Sequence, residues 1–367
     1  MRQNIVTDVQ KGSKLTLKNN TDRSTGVLLL NLGGPDSLRA VKPFLFNLFS
    51  DREIIRLGPS FLQKPIAYLI SSLRAKKTEA AYGLIGGKSP IRDITLAQAK
   101  ALEEVLNKSG VRSRESGEND FSLLTYHPFL KVSVAMRYWH PLIEEVIPGL
   151  YESGTRKLVV LSLYPQYSVA TTGSSLNRLR DVAAEYGMEI FSIPSWFNHP
   201  LYIDALVASI REGMKLFGSS ALGTGAEAAG LRVLFSAHSL PVKFIEEGDP
   251  YVEQIKGTIS EIIKKIDIRW SLSYQSKSGP VQWLGPSTEE MLEDIASEGI
   301  KNLLVVPISF VSDHIETLYE IDLLYKGMAE KLGMRLERAP SLNTSPLFVS
   351  AMRDIVIKGI KEAGWAE

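Results

Sequence analysis

The chain has 367 residues, none of them cysteine and only 5 histidine, which excludes disulfides, thiolate zinc sites, cysteine-held iron–sulfur clusters and cysteine nucleophiles. Apolar residues make up 44% and charged residues 23%, ordinary for a globular protein with a sizeable core, and the length suits two domains of roughly 100–200 residues each. With 42 basic against 41 acidic residues the net charge is +1, so no bulk field exists to recruit nucleic acid or anionic lipid.

Residues 1–25 are polar and mixed in charge, lack the apolar stretch of a secretory signal, and read as a tail ahead of the fold. Apolar, β-branched runs then predict strands at 27–32, 132–137, 157–163, 189–193, 232–237 and 303–310. Several do not alternate, the pattern of parallel strands covered on both faces. Helical periods between them, such as 96–106 and 251–266, supply crossovers and argue for an α/β architecture. Residues 109–120 and 218–230 read as loops. The longest apolar stretch, 303–311, is nine residues and contains Pro307. That falls far short of the ~20 needed to cross a bilayer, so a cytoplasmic location is expected.

A weak internal repeat supports two halves. ESGTRKLVVLSL at 152–163 matches SEGIKNLLVVPI at 297–308, and VLLLNLGGP at 27–35 matches VLFSAHSLP at 233–241, in the same order. The second match sets Leu32 opposite His238.

Four stretches have candidate chemistry. His238 closes an apolar strand just before Pro241, where open α/β sheets bind ligands. It reads either as a hydrogen-bonded structural residue or as a base or metal ligand. SFVSDHIETLYEID at 309–322 places Asp313, Glu316 and Glu320 on one face of a regular helix, either as a solvated acidic face or as a carboxylate path. His314 and Glu316 would point apart on that helix, so a shared site requires a late start or a local widening of the π type. In YPQYSVATTGSSLNRLR, Thr171, Thr172, Ser174 and Ser175 are expected helix caps. FLQKPIAYLISSLRAKK has apolar residues at 62, 66, 69, 70 and 73, either core packing or an apolar lip for a flat ligand or a membrane surface, with Arg74, Lys76 and Lys77 at its edge. No Walker or dinucleotide fingerprint is present, so no nucleotide is expected.

Together LLNLGGPDSL, IGGKSPI, MRYWHPL, YPQYSVATTGSSLN, FSAHSLP, EEGDPY, WLGPSTEEML and VPISFVSDHIETLYEID resemble the ferrochelatase family from about residue 27 to about 345. The resemblance implies two Rossmann-like domains with parallel sheets flanked by helices and a porphyrin cleft between them. The expected bounds are 26–195, with a lip at about 52–90, then 196–345 and a C-terminal helix at 346–367 packing back on the first domain. It implies insertion of Fe²⁺ into protoporphyrin IX with release of two protons, His238 and Glu316 being the catalytic and metal-handling pair. His314 and Glu320 extend the polar path, Arg137, Tyr138, Tyr164 and Trp196 line the pocket, and Arg74, Tyr82 and Ser89 contact the propionates. Val169 stands where some relatives have a cluster cysteine, and the chain ends without the extension that often accompanies it, so no iron–sulfur cluster is expected and iron is a substrate. Leu32 and the apolar lip favour protoporphyrin over coproporphyrin and suit peripheral membrane contact. The rival readings are a coproporphyrin or other tetrapyrrole chelatase and a non-catalytic porphyrin or haem carrier.

Overall fold

Strands without a polar face must be covered on both sides, and the computed structural model, which describes residues 24–56, 58–108, 130–218, 230–277 and 281–365, builds them into two such sheets. The first contains β1 (Ser24–Asn31), β2 (Val132–Met136), β3 (Thr155–Ser162) and β4 (Glu189–Ile193) in the order β2-β1-β3-β4. The second contains β5 (Leu231–His238), β6 (Trp270–Gln275), β7 (Asn302–Pro307) and β8 (Arg335–Arg338) in the order β6-β5-β7-β8. Every pairing is parallel. The repeated segments thus become β1 with β5 and β3 with β7, the central pairs of equivalent sheets. In each sheet the chain runs to one side after the first strand and to the other after the third, so both have a switch point between their central strands.

Alternate residues of β1 go to opposite faces: Val27 and Leu29 join a core shared with Val233, Phe235, Leu304 and Val306 of the other sheet, while Leu28 and Leu30 pack with Leu176 and Leu179. The helices Pro200–Lys215 and Pro346–Glu362 complete the shared core through Tyr202, Ile210, Phe348 and Met352. The C-terminal helix lies against β3 and β4, and a Cβ at Gly359 would come within 2.8 Å of Ile193. Strands β6 and β8, which sequence reasoning did not single out, are edge strands without a long apolar run. The expected loops at 109–120 and 218–230 fall mostly outside the described residues, as does the polar tail before Ser24.

Between β1 and β2 the chain forms the helices Val41–Ser50 and Gln63–Leu84. The second shows its small residues Ala67, Ser71 and Ala75 to the interior. Leu62, Leu69 and Leu73 of the apolar stripe, with Phe61 and Tyr68, are exposed, whereas Ile66 and Ile70 are half-buried and Ile70 packs on the cluster of Phe44 and Phe49, so the stripe is divided between core packing and surface.

Candidate active site

A cavity of about 970 Å³ opens where β1, β3, β5, β6 and β7 end, with walls from both halves of the chain and from the two helices between β1 and β2. Tight local turns set its first wall. A Cβ at Gly34 would lie 2.6 Å from Ser89, so glycine is what lets the β1 loop approach Ser89, whose N–H donates to the Pro35 carbonyl at 2.8 Å. Leu32, Tyr82, Ser89 and Tyr164 line the cavity from this side, together with Arg74, whose guanidinium lies 5.5 Å from the Phe49 ring centre. Tyr164 has a buried hydroxyl with no hydrogen-bond partner among the described residues. Burial and then the charge of Glu316 push its pKa far up, which keeps it a neutral donor.

The second half brings His238, His314, Glu316 and Glu320 to the same cavity. His238 Nδ1 lies 2.5 Å from the Ser239 carbonyl, and His314 Nδ1 lies 3.0 Å from the Ser312 carbonyl. A carbonyl only accepts, so both Nδ1 atoms carry protons, and a neutral ring has its lone pair on Nε2. The two Nε2 atoms flank one carboxylate, His238 at 3.7 Å from Glu316 Oε1 and His314 at 3.9 Å from Oε2. These distances exceed hydrogen-bond range and leave room for a proton or a cation to act between the groups.

His314 and Glu316 share the site through the late start of the helix: His314 precedes it, and the ten-residue π-helix Glu316–Tyr325 begins after it, with Glu316 and Glu320 both on the cavity wall. Ser276, at the end of β6, has φ of +66°, a left-handed conformation that is costly for serine. Its hydroxyl lies between the two carboxylates, 2.5 Å from Glu320 Oε2 and 3.2 Å from Glu316 Oε2, and the Gln275 amide donates to Glu320 at 3.1 Å. Burial opposes ionisation of Glu316, but the charge of His238, His314 and the Ser276 hydroxyl outweigh it and lower its pKa. Burial and then the neighbouring Glu316 charge push Glu320 up to about 8. One carboxylate is therefore ionised beside another that holds its proton near neutrality.

Three expected pocket residues are not on the cavity wall. The Arg137 guanidinium donates to Asp51 at 2.7 Å and to Ser174 at 2.9 Å, and the Tyr138 hydroxyl donates to the same Asp51 oxygen at 2.7 Å. A buried carboxylate at the root of the lip thus captures both. Trp196 is turned into the shared core, its indole N–H donating to the Ser162 carbonyl at 2.8 Å and its ring 4.8 Å from that of Tyr202. Asp313 also leaves the acidic path, because Arg338, Ser341, Asn343 and Thr317 take up its carboxylate. Of the expected caps, Ser174 pairs with Asp51. The segment start is instead held by Ser168 and by Asp249 of the other half, which accepts from the Ser168 hydroxyl and the Val169 N–H, both at 2.8 Å. Sequence reasoning missed Ser276 and Trp283 on the cavity wall; the aromatic WLGP stretch marked the latter, whose buried indole N–H has no partner among the described residues.

A family model described as Ferrochelatase matches residues 24–360. The curated ferrochelatase of Geobacter metallireducens is 49% identical over 338 residues, covering 91% of this chain and 98% of the relative. That of Desulfotalea psychrophila is 48% identical over 336 residues, covering 91% and 97%. Among solved structures, SirB from Bacillus subtilis with Fe³⁺ aligns with a TM-score of 0.49 and 13% identity over 94% of this chain and 99% of that one.

Proposed function

The chain belongs to the ferrochelatase family, lyases that insert Fe²⁺ into a porphyrin in haem biosynthesis, and from that premise we propose that its porphyrin is protoporphyrin IX and that His238 and Glu316 carry out the insertion. The observation that carries this reading is the pair itself: an imidazole Nε2 facing an ionised carboxylate at 3.7 Å, on the wall of a cavity large enough for a flat ligand.

Insertion removes two protons from pyrrole nitrogens while Fe²⁺ sheds water and gains nitrogen ligands. His238 in its neutral form accepts a pyrrole proton at Nε2, its ring held by the Ser239 carbonyl, and the resulting charge then faces Glu316. Glu316 offers oxygen to the incoming ion, and a cation beside it weakens the negative charge that keeps Glu320 protonated. Arrival of iron thereby releases the Glu320 proton to solvent, and the two pyrrole protons leave through His238 in turn, the first passed on to solvent before the second is taken. Apolar residues such as Leu32, Phe44, Ile315 and Leu324 grip the macrocycle, and binding energy from its rim supports distortion at its centre. Arg74, Lys77, Tyr82 and Ser89 suit the propionate edge.

Leu32 and the exposed lip support protoporphyrin, whose vinyl groups match an apolar wall. The reaction needs no redox partner or nucleotide, the chain has no cysteine for a cluster, and Fe²⁺ is substrate. Among the described residues no helix is long and apolar enough to cross a membrane. The lip, with Phe61 and Leu73 about three-quarters exposed (76% and 74%), suits a cytoplasmic enzyme that rests on a bilayer surface to collect an apolar substrate. Steady-state insertion with protoporphyrin and coproporphyrin, each with Fe²⁺, Co²⁺ and Zn²⁺, tests the assignment: protoporphyrin should be preferred, and preference for coproporphyrin overturns it.

A further inference from the structure

A π-helix of ten residues is long for a form that elsewhere occurs mostly as single-turn bulges. Two carboxylates bracket its cavity-facing glutamates: Asp313 just ahead of the segment and Asp322 within it. One side chain, Arg338 at the end of β8, holds both. Its Nε and Nη2 donate to the two oxygens of Asp322, each at 2.8 Å, and its Nη1 donates to Asp313 at 2.9 Å and to the Ser341 hydroxyl at 3.0 Å. The Arg338 side chain is only 12% exposed, and neither it nor the two aspartates line the cavity. Burial opposes ionisation of Asp313, yet Arg338 and three hydrogen bonds hold it below the usual carboxylate range.

We propose that Arg338 is a positioning residue for metal delivery, its guanidinium fork tying the lead-in of the π-helix to its body so that Glu316 and Glu320 face the cavity as a pair. The inference rests on the reading that these glutamates receive the metal. A planar fork with five donors can serve two carboxylates and a hydroxyl at fixed angles, whereas a lysine ammonium supplies a point charge without that geometry. Partners one step removed from a metal-handling side chain orient it, and their loss costs about tenfold to a hundredfold in metal affinity or activity.

Losing one partner of a buried ion pair also destabilises a fold, so the test needs a control on the same strand. Glu337 accepts from Lys326 at 3.0 Å, joining β8 to the residue after the π-helix without touching Asp313 or Asp322. Insertion of Zn²⁺ and of Fe²⁺ would be measured for Arg338→Met, Arg338→Lys, Asp322→Asn and Glu337→Gln, separating the KM for metal from the KM for porphyrin. Arg338→Met should lower kcat/KM for metal about tenfold or more, leave the porphyrin KM within about twofold, and be only partly rescued by lysine. Asp322→Asn should reproduce the loss and add little on top of Arg338→Met. Glu337→Gln should spare metal kinetics even where it lowers Tm. The proposal is overturned if Arg338→Met retains its metal kinetics, if metal and porphyrin parameters worsen alike, or if Glu337→Gln gives the same split. Should Arg338→Met not fold, Asp322→Asn decides by the same criterion. Glu316→Gln tests the underlying reading: normal insertion there removes the role of Glu316, whereas a dead Glu316→Gln beside a normal Arg338→Met removes only the clamp.

Discussion

The central strands of the two sheets end at equivalent places and deliver opposite chemistry. From the first sheet β1 leads to Leu32 and β3 to Tyr164; from the second β5 ends on His238 and β7 leads toward Ser312 and His314. The repeat aligns Leu32 with His238, so one backbone position presents a methyl-rich surface in one half and an imidazole in the other. On the proposed reading, two equivalent α/β sheets divide labour unequally: both halves give apolar wall to a flat ligand, while the imidazole and carboxylate groups of the proposed insertion come from the second half alone. The groups are held differently as well. Leu32 sits in a cluster of Phe44, Phe49, Tyr82 and Ile315, whereas Glu316 and Glu320 are held by hydrogen bonds and by the widened helix.

The largest break in this comparison comes from removing chemistry while leaving the grip. His238→Ala should keep porphyrin binding within about threefold and slow insertion by about 10² to 10⁴, the usual contribution of a positioned base. Fluorescence quenching of bound protoporphyrin and the rate of Zn²⁺ insertion measure the two sides. A carrier without chemistry would lose neither, and a purely structural histidine would lose both. The converse break is Leu32→Tyr. It trades an apolar wall for a polar one, so discrimination between protoporphyrin and coproporphyrin should shift by about tenfold with kcat little changed, in line with the modest selectivity of apolar pockets. A fall in kcat with unaltered selectivity would take Leu32 out of the substrate wall.

How far the sequence carried follows the same division. Runs of Val, Leu and Ile reveal central strands because burial on both faces leaves a compositional mark, and the edge strands β6 and β8 lack that mark. His238 was legible because it interrupts such a run beside a proline. The late start of the helix at Glu316 was legible as one of two geometric options, since His314 and Glu316 point apart on a regular helix. Long-range capture of charge was not legible. Nothing in the periodicity around Asp313 reveals that Arg338 will neutralise it, or that Asp51 will draw Arg137 and Tyr138 away from the cavity. Nor does an apolar stripe on a lone helix say that Ile70 will pack inward while Leu69 and Leu73 stay exposed.

A milder perturbation separates the lip from the cavity behind it. Phe61→Ser with Leu73→Ser alters only exposed side chains, so insertion with detergent-dispersed porphyrin should stay within about twofold. Co-sedimentation with lipid vesicles should weaken by about tenfold, because two large apolar groups no longer enter the interface. Equal sedimentation of both proteins would remove the lip as a membrane contact.

The sharpest change in pH dependence belongs to Glu320→Gln. In the folded protein the Glu320 carboxyl titrates at about 8 against an ordinary 4.5, chiefly through burial and the charge of Glu316. Between those values the folded chain holds a proton that the unfolded chain has released. Its contribution to stability is therefore complete below about 4.5, declines as pH rises through the window, and is gone above about 8. Glutamine keeps an acceptor for Ser276 and never carries the charge. The variant should match the parent in Tm near pH 4.5 and exceed it by about 2 °C or more near pH 8.5. Insertion should slow by only about threefold, since His238 remains the first base, and should lose an ionisation from its pH profile. Parallel Tm curves for the two proteins from pH 4.5 to 8.5 would mean that Glu320 gives up its proton at an ordinary pH, and with it would go the coupling between metal arrival and proton release.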